Sequence, residues 1–387
     1  MNEPSIELSF SPSGPQFFIS EDAVMPVITV TATPANFAPD PKAGPPIYSW
    51  TASLNFRSTS APNAGPKSDT SHPAIAPKTG PSNSFTIPFT AVRGGDLVVS
   101  VTVQFGARQL GTSSKGLVVL GKNPPVNLLA ATAPGNIAFR KLMQLESSLR
   151  QFLPSGYPLF SQDQLGGVGL CQVTYPPPTA DEIWNWKANI EAGWQIYQEK
   201  ETAARRYPER VRNSPGFSAL VRQYQRDSTS APCYLVEDQL TIWRHPILDA
   251  VPPPFAHAGS ARWIEGFGYV NSNQPDLDVW PNNLTDSFAT MSFPSVTVRL
   301  PDYTEEQLRR DTIRGYNGYS GADPYGIQHS GLHEYRVKVD RYGKLVATRN
   351  STGSVATAEW ERVTPDQRPV KSRGQDYVDL VEGKTGF

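Results

Sequence analysis

The sequence predicts a multidomain chain: an all-β N-terminal domain, then a mainly α-helical domain with a loop-rich insertion and a small C-terminal β-hairpin. Three observations predict this. Apolar and polar residues alternate through the first third, and the period changes to about 3.6 after residue 127. Charge density changes at the same place: residues 1–127 hold 8 Lys/Arg and 7 Asp/Glu, and the remaining 260 hold 27 and 29. A chain of 387 residues is also long enough for more than one core.

The first part reads as short strands. "SIELSF", "QFFIS", "MPVITVTATP", "PIYSWTASLNF", "SFTIPFTA", "DLVVSVTVQF" and "KGLVVLG" are rich in Val, Ile, Thr and aromatics. "DLVVSVTVQF" puts Leu97, Val99, Val101, Val103 and Phe105 on one face. Seven such runs separated by turn residues predict an antiparallel immunoglobulin-like sandwich over residues 1–121. The Pro/Ser/Ala-rich stretch 58–83 reads as a loop between strands. "GKNPPVN" supplies a linker at 122–127, stiffened by Pro124 and Pro125.

Residues 128–387 form the second predicted domain. Ala138, Leu142, Leu145, Leu149 and Phe152 recur at spacings of four and three, the stripe of an amphipathic helix, with Thr132 and Pro134 as start signals. A helix is predicted over 179–207, a third in "PGFSALVRQYQRD", and another over 303–318, where Thr304 and Gln307 have capping-box spacing. The interval of about 227–302 is a loop-rich insertion, and "EYRVKVD" and "KLVATR" flank a hairpin turn at "RYGK".

Composition excludes several functions. A net charge of −1 argues against general nucleic-acid binding. No apolar run spans a bilayer. "MNEPSIELSF" has neither a basic n-region nor an apolar h-region, so synthesis in the cytoplasm without a signal peptide is expected. Cys171 and Cys233 are too few for a disulfide framework or a cysteine zinc site; two buried thiols are expected, with a single disulfide open in an oxidising compartment. His329 and His333 have i,i+4 spacing, but Gly331 between them and the lack of a third ligand make them surface or loop residues. No phosphate loop, dinucleotide fingerprint or serine-hydrolase elbow appears, and no cofactor or metal is called for.

One segment carries most of the chemical information. "LGGVGLCQVTYPPPT", residues 165–179, sets three glycines and three prolines around Gln172 and Cys171. Glycines let backbone approach a ligand closely. The pieces around it are ordered: Glu146-Ser147 at a helix end, Ser161, Gly169-Leu170-Cys171-Gln172, Asn189-Ile190 with Gly193, and Tyr316-Asn317-Gly318. In this order they resemble the lytic transglycosylase and goose-type lysozyme-like superfamily, over roughly 128–340. Cys171 stands where that family usually has Met, and "ESSL" replaces Glu-Ser-Gly-Phe. The resemblance implies a lysozyme-like second domain.

It also implies an enzyme that cleaves the MurNAc–GlcNAc β-1,4 bond of peptidoglycan. Such cleavage needs a carboxylic acid near the bridging oxygen, and partial desolvation raises a carboxyl pKa. Glu146, flanking the apolar stripe, is the expected general acid. Asp163 is the candidate second carboxylate of a muramidase; without one, the substrate's C6 hydroxyl closes a 1,6-anhydro ring, as in a lytic transglycosylase. Ser147, Ser161, Gly169, Gln172, Tyr316 and Asn317 are the expected substrate-binding residues, with Tyr316 orienting Glu146. Trp184, Trp186 and Tyr175 are candidate sugar platforms. Expected partners are peptidoglycan glycan strands, an immunity protein, and a secretion-machine or tail component docked on the N-terminal domain. The expected setting is an antibacterial effector, exported by type VI secretion or carried by a phage tail, acting in the periplasm or at the wall of a target bacterium. The contrasting expectation is a non-catalytic wall-binding or structural tail protein.

Overall fold

The computed structural model describes residues 5–36, 44–57, 68–69, 74–161, 166–215, 217–218, 233–236, 239–242, 262–264, 268–270, 296–318, 321–322, 328–329, 333–337, 345–350, 353–362 and 375–387. The chain divides into two compact units, Met1–Gln198 with Asp379–Phe387, and Glu199–Val378. In sequence, the second unit therefore lies between two parts of the first.

The first unit begins with nine strands: β1 (Ser5–Ser11), β2 (Gln16–Ile19), β3 (Thr29–Ala35), β4 (Ile47–Arg57), β5 (Ser68–Asp69), β6 (Lys78–Gly80), β7 (Ser84–Thr86), β8 (Gly95–Phe105) and β9 (Arg108–Gly121). They make two sheets. One has the order β1-β3-β7; the other runs β2-β9-β8-β4-β5, with β6 also on β4. The alternation in β8 is read as the sequence suggests: Leu97, Val99, Val101 and Val103 are fully buried, and Phe105 nearly so. They pack with Trp50 and Phe85, whose rings stack at 5.7 Å. The sandwich is not purely antiparallel. β2 runs parallel to β9, pairing Phe17 with Val119 and Ile19 with Gly121, so its sheet is mixed.

Four helices follow: α1 (Val126–Thr132), α2 (Ile137–Ser147), α3 (Ala180–Trp184) and α4 (Trp186–Arg212). α2 starts at Asn136, whose side chain accepts from the Phe139 amide, rather than at Thr132 or Pro134. Its buried face is Ala138, Phe139, Leu142 and Met143. It stops at Ser147 because Ser148 and Leu149 are both left-handed (φ 53° and 62°), so Leu149 and Phe152 leave the expected stripe. The predicted 179–207 helix is two, broken at Asn185. Thr179 and Glu182 form the capping box of α3.

The second unit corrects the expected fold class. A mainly α-helical, lysozyme-like domain is not what the second part forms. Besides the end of α4, its described residues give β10 (Cys233–Val236), β11 (Gln239–Ile242), β12 (Arg262–Ile264), β13 (Gly268–Val270), β14 (Val296–Arg299), α5 (Glu305–Tyr316), β15 (Gly321–Ala322), β16 (Gln328–His329), β17 (His333–Val337), β18 (Leu345–Asn350), β19 (Gly353–Arg362) and α6 (Gln375–Glu382). β10, β11, β18, β19 and β14 build one sheet, with β17 also on β19. Among the described residues the whole chain has six helices. The physical reason lies in runs such as "CYLV", "VTVR" and "GSVATAEW", whose β-branched content favours pleated backbone. Short helical motifs elsewhere say nothing about these intervening residues. The expected C-terminal hairpin is also rewired: β17 and β18 do not pair with each other but both pair with β19. Of the third predicted helix, Gly216 and residues 219–227 lie outside the described residues.

In the first unit, one hydrophobic cluster runs from the sandwich into residues 152–184, taking in Phe152, Phe160, Val168, Ile183 and Trp184. Two glycines make this possible. A Cβ on Gly121 would sit inside the Phe152 ring, and one on Gly94 inside the Trp184 ring. Residues 122–127, expected as a linker, contribute Asn123, whose side chain accepts from the amides of Gln151 and Phe152 at 2.8 Å each and donates to the Phe152 carbonyl. Gly121→Ala is therefore expected to destabilise the first unit by about 1–3 kcal/mol through overpacking. Chemical denaturation should show the loss, and Phe152→Leu in the same chain should restore part of it. An unchanged midpoint in the single variant would contradict the packing.

Candidate functional site

The Gly/Pro segment folds back on itself. Isolated bridges pair Phe152 with Pro158, Phe160 with Val168, and Val168 with Val173. The Leu159 amide donates to the Gln151 carbonyl and the Gly169 amide to the Leu159 carbonyl, at 2.9 and 2.8 Å. Ser161 Oγ accepts from the Gly167 amide at 3.1 Å. This wall is held by two fully buried amide side chains. Gln151 accepts from the Leu170 amide at 3.0 Å and donates to the carbonyls of Glu182 and Ile183. Asn189, on α4, accepts from the Cys171 amide at 2.9 Å and donates to the carbonyls of Val168 and Glu182. Together they bond the amides of Leu170 and Cys171 and the carbonyls of Val168, Glu182 and Ile183.

The glycine at 169 has a different purpose from the one its composition suggests. Its φ is +73°, and a Cβ there would collide with the Gln151 amide. The missing side chain makes room for the buried glutamine, not for a ligand. Gln172 is itself left-handed (φ 49°), and its Nε2 donates to the Gly169 carbonyl at 2.9 Å, which closes the turn.

α2 delivers Glu146 and Ser147 to this turn. Ser147 is buried, and its Oγ donates to the carbonyls of Met143 and Leu170, at 3.2 and 2.9 Å. Glu146 is half-buried. Burial, and then the charge of Glu146, pushes the Cys171 thiol well above its ordinary range. α2 is fixed from its other side by the chain's own C-terminal residues. Arg140 donates to carbonyls of Ala130, Ala133, Pro134 and Phe387, Lys141 donates to the Glu382 carbonyl, and Gln144 accepts from the Gly386 amide.

The structure therefore brings Glu146, Ser147, Ser161, Gly169 and Gln172 together with Asn189. Asp163 lies outside the described residues. Tyr316 and Asn317 belong to the second unit, where Tyr316 ends α5 and Asn317 is its exposed C-cap. Two of the aromatic candidates are overturned. Trp184 and Trp186 are 0% and 1% exposed, and Trp186 Nε1 donates to the Glu21 carbonyl. Helix-borne tryptophans next to a sandwich fill its core. Tyr175 is 84% exposed, on the turn that leads to the proline run. Cys171 is a reduced, buried thiol; the side chain of Cys233 lies outside the described residues. Sequence reasoning missed Gln151 and Asn123, since a single amide in an irregular segment leaves no periodic signature.

His333 is also corrected. It is 3% exposed rather than on the surface, and its Nδ1 lies 3.7 Å from Asp311 Oδ1. Tyr303 packs on it, and burial, then Asp311, then Tyr207 raise the Tyr303 pKa well above its ordinary value. Among the described residues, no group of three His, Cys, Asp or Glu could hold a metal ion, and no helix is long and apolar enough to cross a membrane. Compared with known proteins, the chain matches no family model, and no curated protein matches it significantly.

Two outcomes follow from this geometry. Asn189→Ala takes its acceptor from the Cys171 amide, while the Val168 carbonyl keeps the Val173 amide, so it should cost about 1–3 kcal/mol of unfolding free energy. A loss well under about 1 kcal/mol would mean that the wall does not depend on the amide. The second concerns pH. A raised thiol pKa means that folded Cys171 keeps its proton where the unfolded thiol gives it up, so it contributes stability at neutral pH that declines in alkali. Iodoacetamide should then modify the Cys171 peptide slowly in native protein between about pH 7 and 9, and quickly in urea. Equal rates, read by peptide mass, would refute the burial.

Proposed function

We propose that the chain is a peptidoglycan glycosidase that cleaves the MurNAc–GlcNAc β-1,4 bond, with Glu146 as general acid. The observation that carries this reading is the junction at residues 170–171. The Ser147 hydroxyl and the Asn189 amide, from two helices, bind the C=O and the N–H of one peptide group, Leu170–Cys171, in the Gly169–Gln172 turn, and Glu146 is the residue before Ser147 on α2. Three motifs separated in sequence thus act as one structural object. The reading depends on that object and not on a mainly helical domain.

A half-buried carboxyl next to a rigid turn suits general acid catalysis, because its position is fixed by α2 while water has limited access to it. Gln172 and the exposed Tyr175 line the same segment and offer an amide and a ring face to a sugar. On this reading the substrate lies outside the cytoplasm. The chain, directed to the periplasm with a leader, should then arrest growth, and the same chain kept in the cytosol should not. An immunity protein that covers the Glu146 turn would be the natural partner of the producing cell.

Glu146→Gln is the direct test. The amide keeps the size of the carboxyl but delivers no proton, so lysis of a wall suspension should fall by about 10²–10⁴-fold. The thermal midpoint should hold or rise slightly, since a partly desolvated carboxyl becomes neutral. A variant that lyses at more than about a tenth of the wild-type rate would exclude Glu146 as the acid. Product masses separate the two routes: products lighter by one water mark anhydro-ring closure, and hydrated ends mark a muramidase.

A further inference from the structure

α2 carries two different faces. Ala138, Phe139, Leu142 and Met143 are buried along one of them. Glu146, seven residues after Phe139 and four after Leu142, continues that face by the helical period. Ile137, Arg140, Lys141 and Gln144 share the opposite face, and residues 382–387 lie across it. Arg140 Nη1 donates to the Phe387 carbonyl at 2.7 Å, with the guanidinium 5.4 Å from the centre of the Phe387 ring. Lys141 Nζ donates to the Glu382 carbonyl at 2.9 Å, and Gln144 Oε1 accepts from the Gly386 amide at 3.0 Å. Gly386 is left-handed (φ 75°), and a Cβ there would stand 2.6 Å from Ile137 Cδ1. The segment is directed onto α2 by the end of α6, where the amides of Gly383 and Lys384 donate to the carbonyls of Asp379 and Val381.

We propose that residues 382–387 are a clasp that holds the last turn of α2 on the Gly169–Gln172 turn, and that Gln144 is the positioning residue through which the clasp acts on Glu146. One helical turn is bonded on both sides. The Gln144 side chain takes the Gly386 amide, while the Gln144 carbonyl takes the Ser148 amide that caps the helix. Three residues further on, Ser147 Oγ donates to the Leu170 carbonyl. Glu146 lies between these two attachments in sequence. The residues that follow, Ser148 and Leu149, are both left-handed and unfavourable there, so this is the turn at which α2 would unwind first. A bond from its outer face opposes that unwinding. The α2 side chains bind backbone groups of the segment, so they fix its path rather than its side chains. The clasp itself is independent of the glycosidase reading; its effect on catalysis rests on that reading.

The test is amide hydrogen exchange of the full chain, read by peptide mass over residues 144–150, 169–173 and, as a control, 97–103 of β8. Gln144→Leu keeps the size of the side chain but loses the acceptor. Exchange in the first two segments should rise about fivefold or more, and β8 should not change. Gln144→Glu retains an acceptor oxygen and should match the wild type. If Gln144→Leu does not fold, Lys141→Met makes the same comparison through the Glu382 contact. Unchanged exchange, faster exchange in 144–150 alone, or an equal rise in all three segments would each overturn the clasp. Lysis of a wall suspension by the same proteins reads the positioning role. Gln144→Leu should lower kcat about tenfold with KM unchanged, and Gln144→Glu should restore it. A loosened turn with unchanged kcat would refute that role. A wild-type chain that does not lyse walls would sink the glycosidase reading, and the exchange pattern would still decide the clasp.

Discussion

The first unit depends on one constraint: the backbone around Leu170 and Cys171 is fully buried and must find partners within the protein. A buried amide or carbonyl left alone costs about 1–3 kcal/mol. Regular strands solve this with ladders, but a turn with left-handed residues at 169 and 172 has no ladder to use. Gln151 and Asn189 take that part. Each is an amide with donor and acceptor on one rigid group, so each can hold an N–H and C=O groups at once. Ser147 completes the set through the Leu170 carbonyl. The position of the Glu146 backbone relative to the turn follows, since Ser147 is its neighbour.

The same constraint explains why the β-rich and helical parts share a core. Gln151 reaches the Leu170 turn with its side chain while Asn123 holds the backbone amides of Gln151 and Phe152. Phe152 is then directed into the notch at Gly121, and Trp184, next to the Ile183 carbonyl that Gln151 also binds, into the notch at Gly94. Hydrogen bonds fix where the chain runs, and two large rings convert that path into buried apolar area. Neither contribution would serve without the other. Rings in a loosely held loop would find no fixed notch, and an amide network without the rings would sit in water.

What was legible in the sequence follows from how local each signal is. The β8 face and the capping box at Thr304 were readable because a few neighbouring residues determine them. The convergence of Glu146, Ser147, Gly169 and Gln172 was readable only through motif order. The α2 stripe failed beyond Ser147. Its spacing continues through Leu149 and Phe152, but no period reveals that Ser148 and Leu149 turn left-handed. The second sheet was misjudged for the opposite reason. Strands such as β14 and β19 pair in parallel across more than fifty residues, and nothing near either strand announces the other. His333 was placed on the surface by its glycine neighbour, whereas β17 carries it against Asp311 and Tyr303.

Ser148 shows how the local and the tertiary levels meet at the site. Glycine is the natural residue for a left-handed helix cap. Here serine occupies that conformation with φ 53°, and Leu149 follows it with φ 62°. Two non-glycine residues in that region are unfavourable by themselves. They persist because both flanks are over-determined. Upstream, α2 is anchored by Arg140, Lys141 and Gln144 to the C-terminal residues; downstream, Gln151 is locked by Asn123 and the Leu170 turn. The strain is thus stored between two fixed points, two residues from Glu146. A carboxyl held there has little freedom to move away from the turn, which is the property a proton donor at a fixed bond requires.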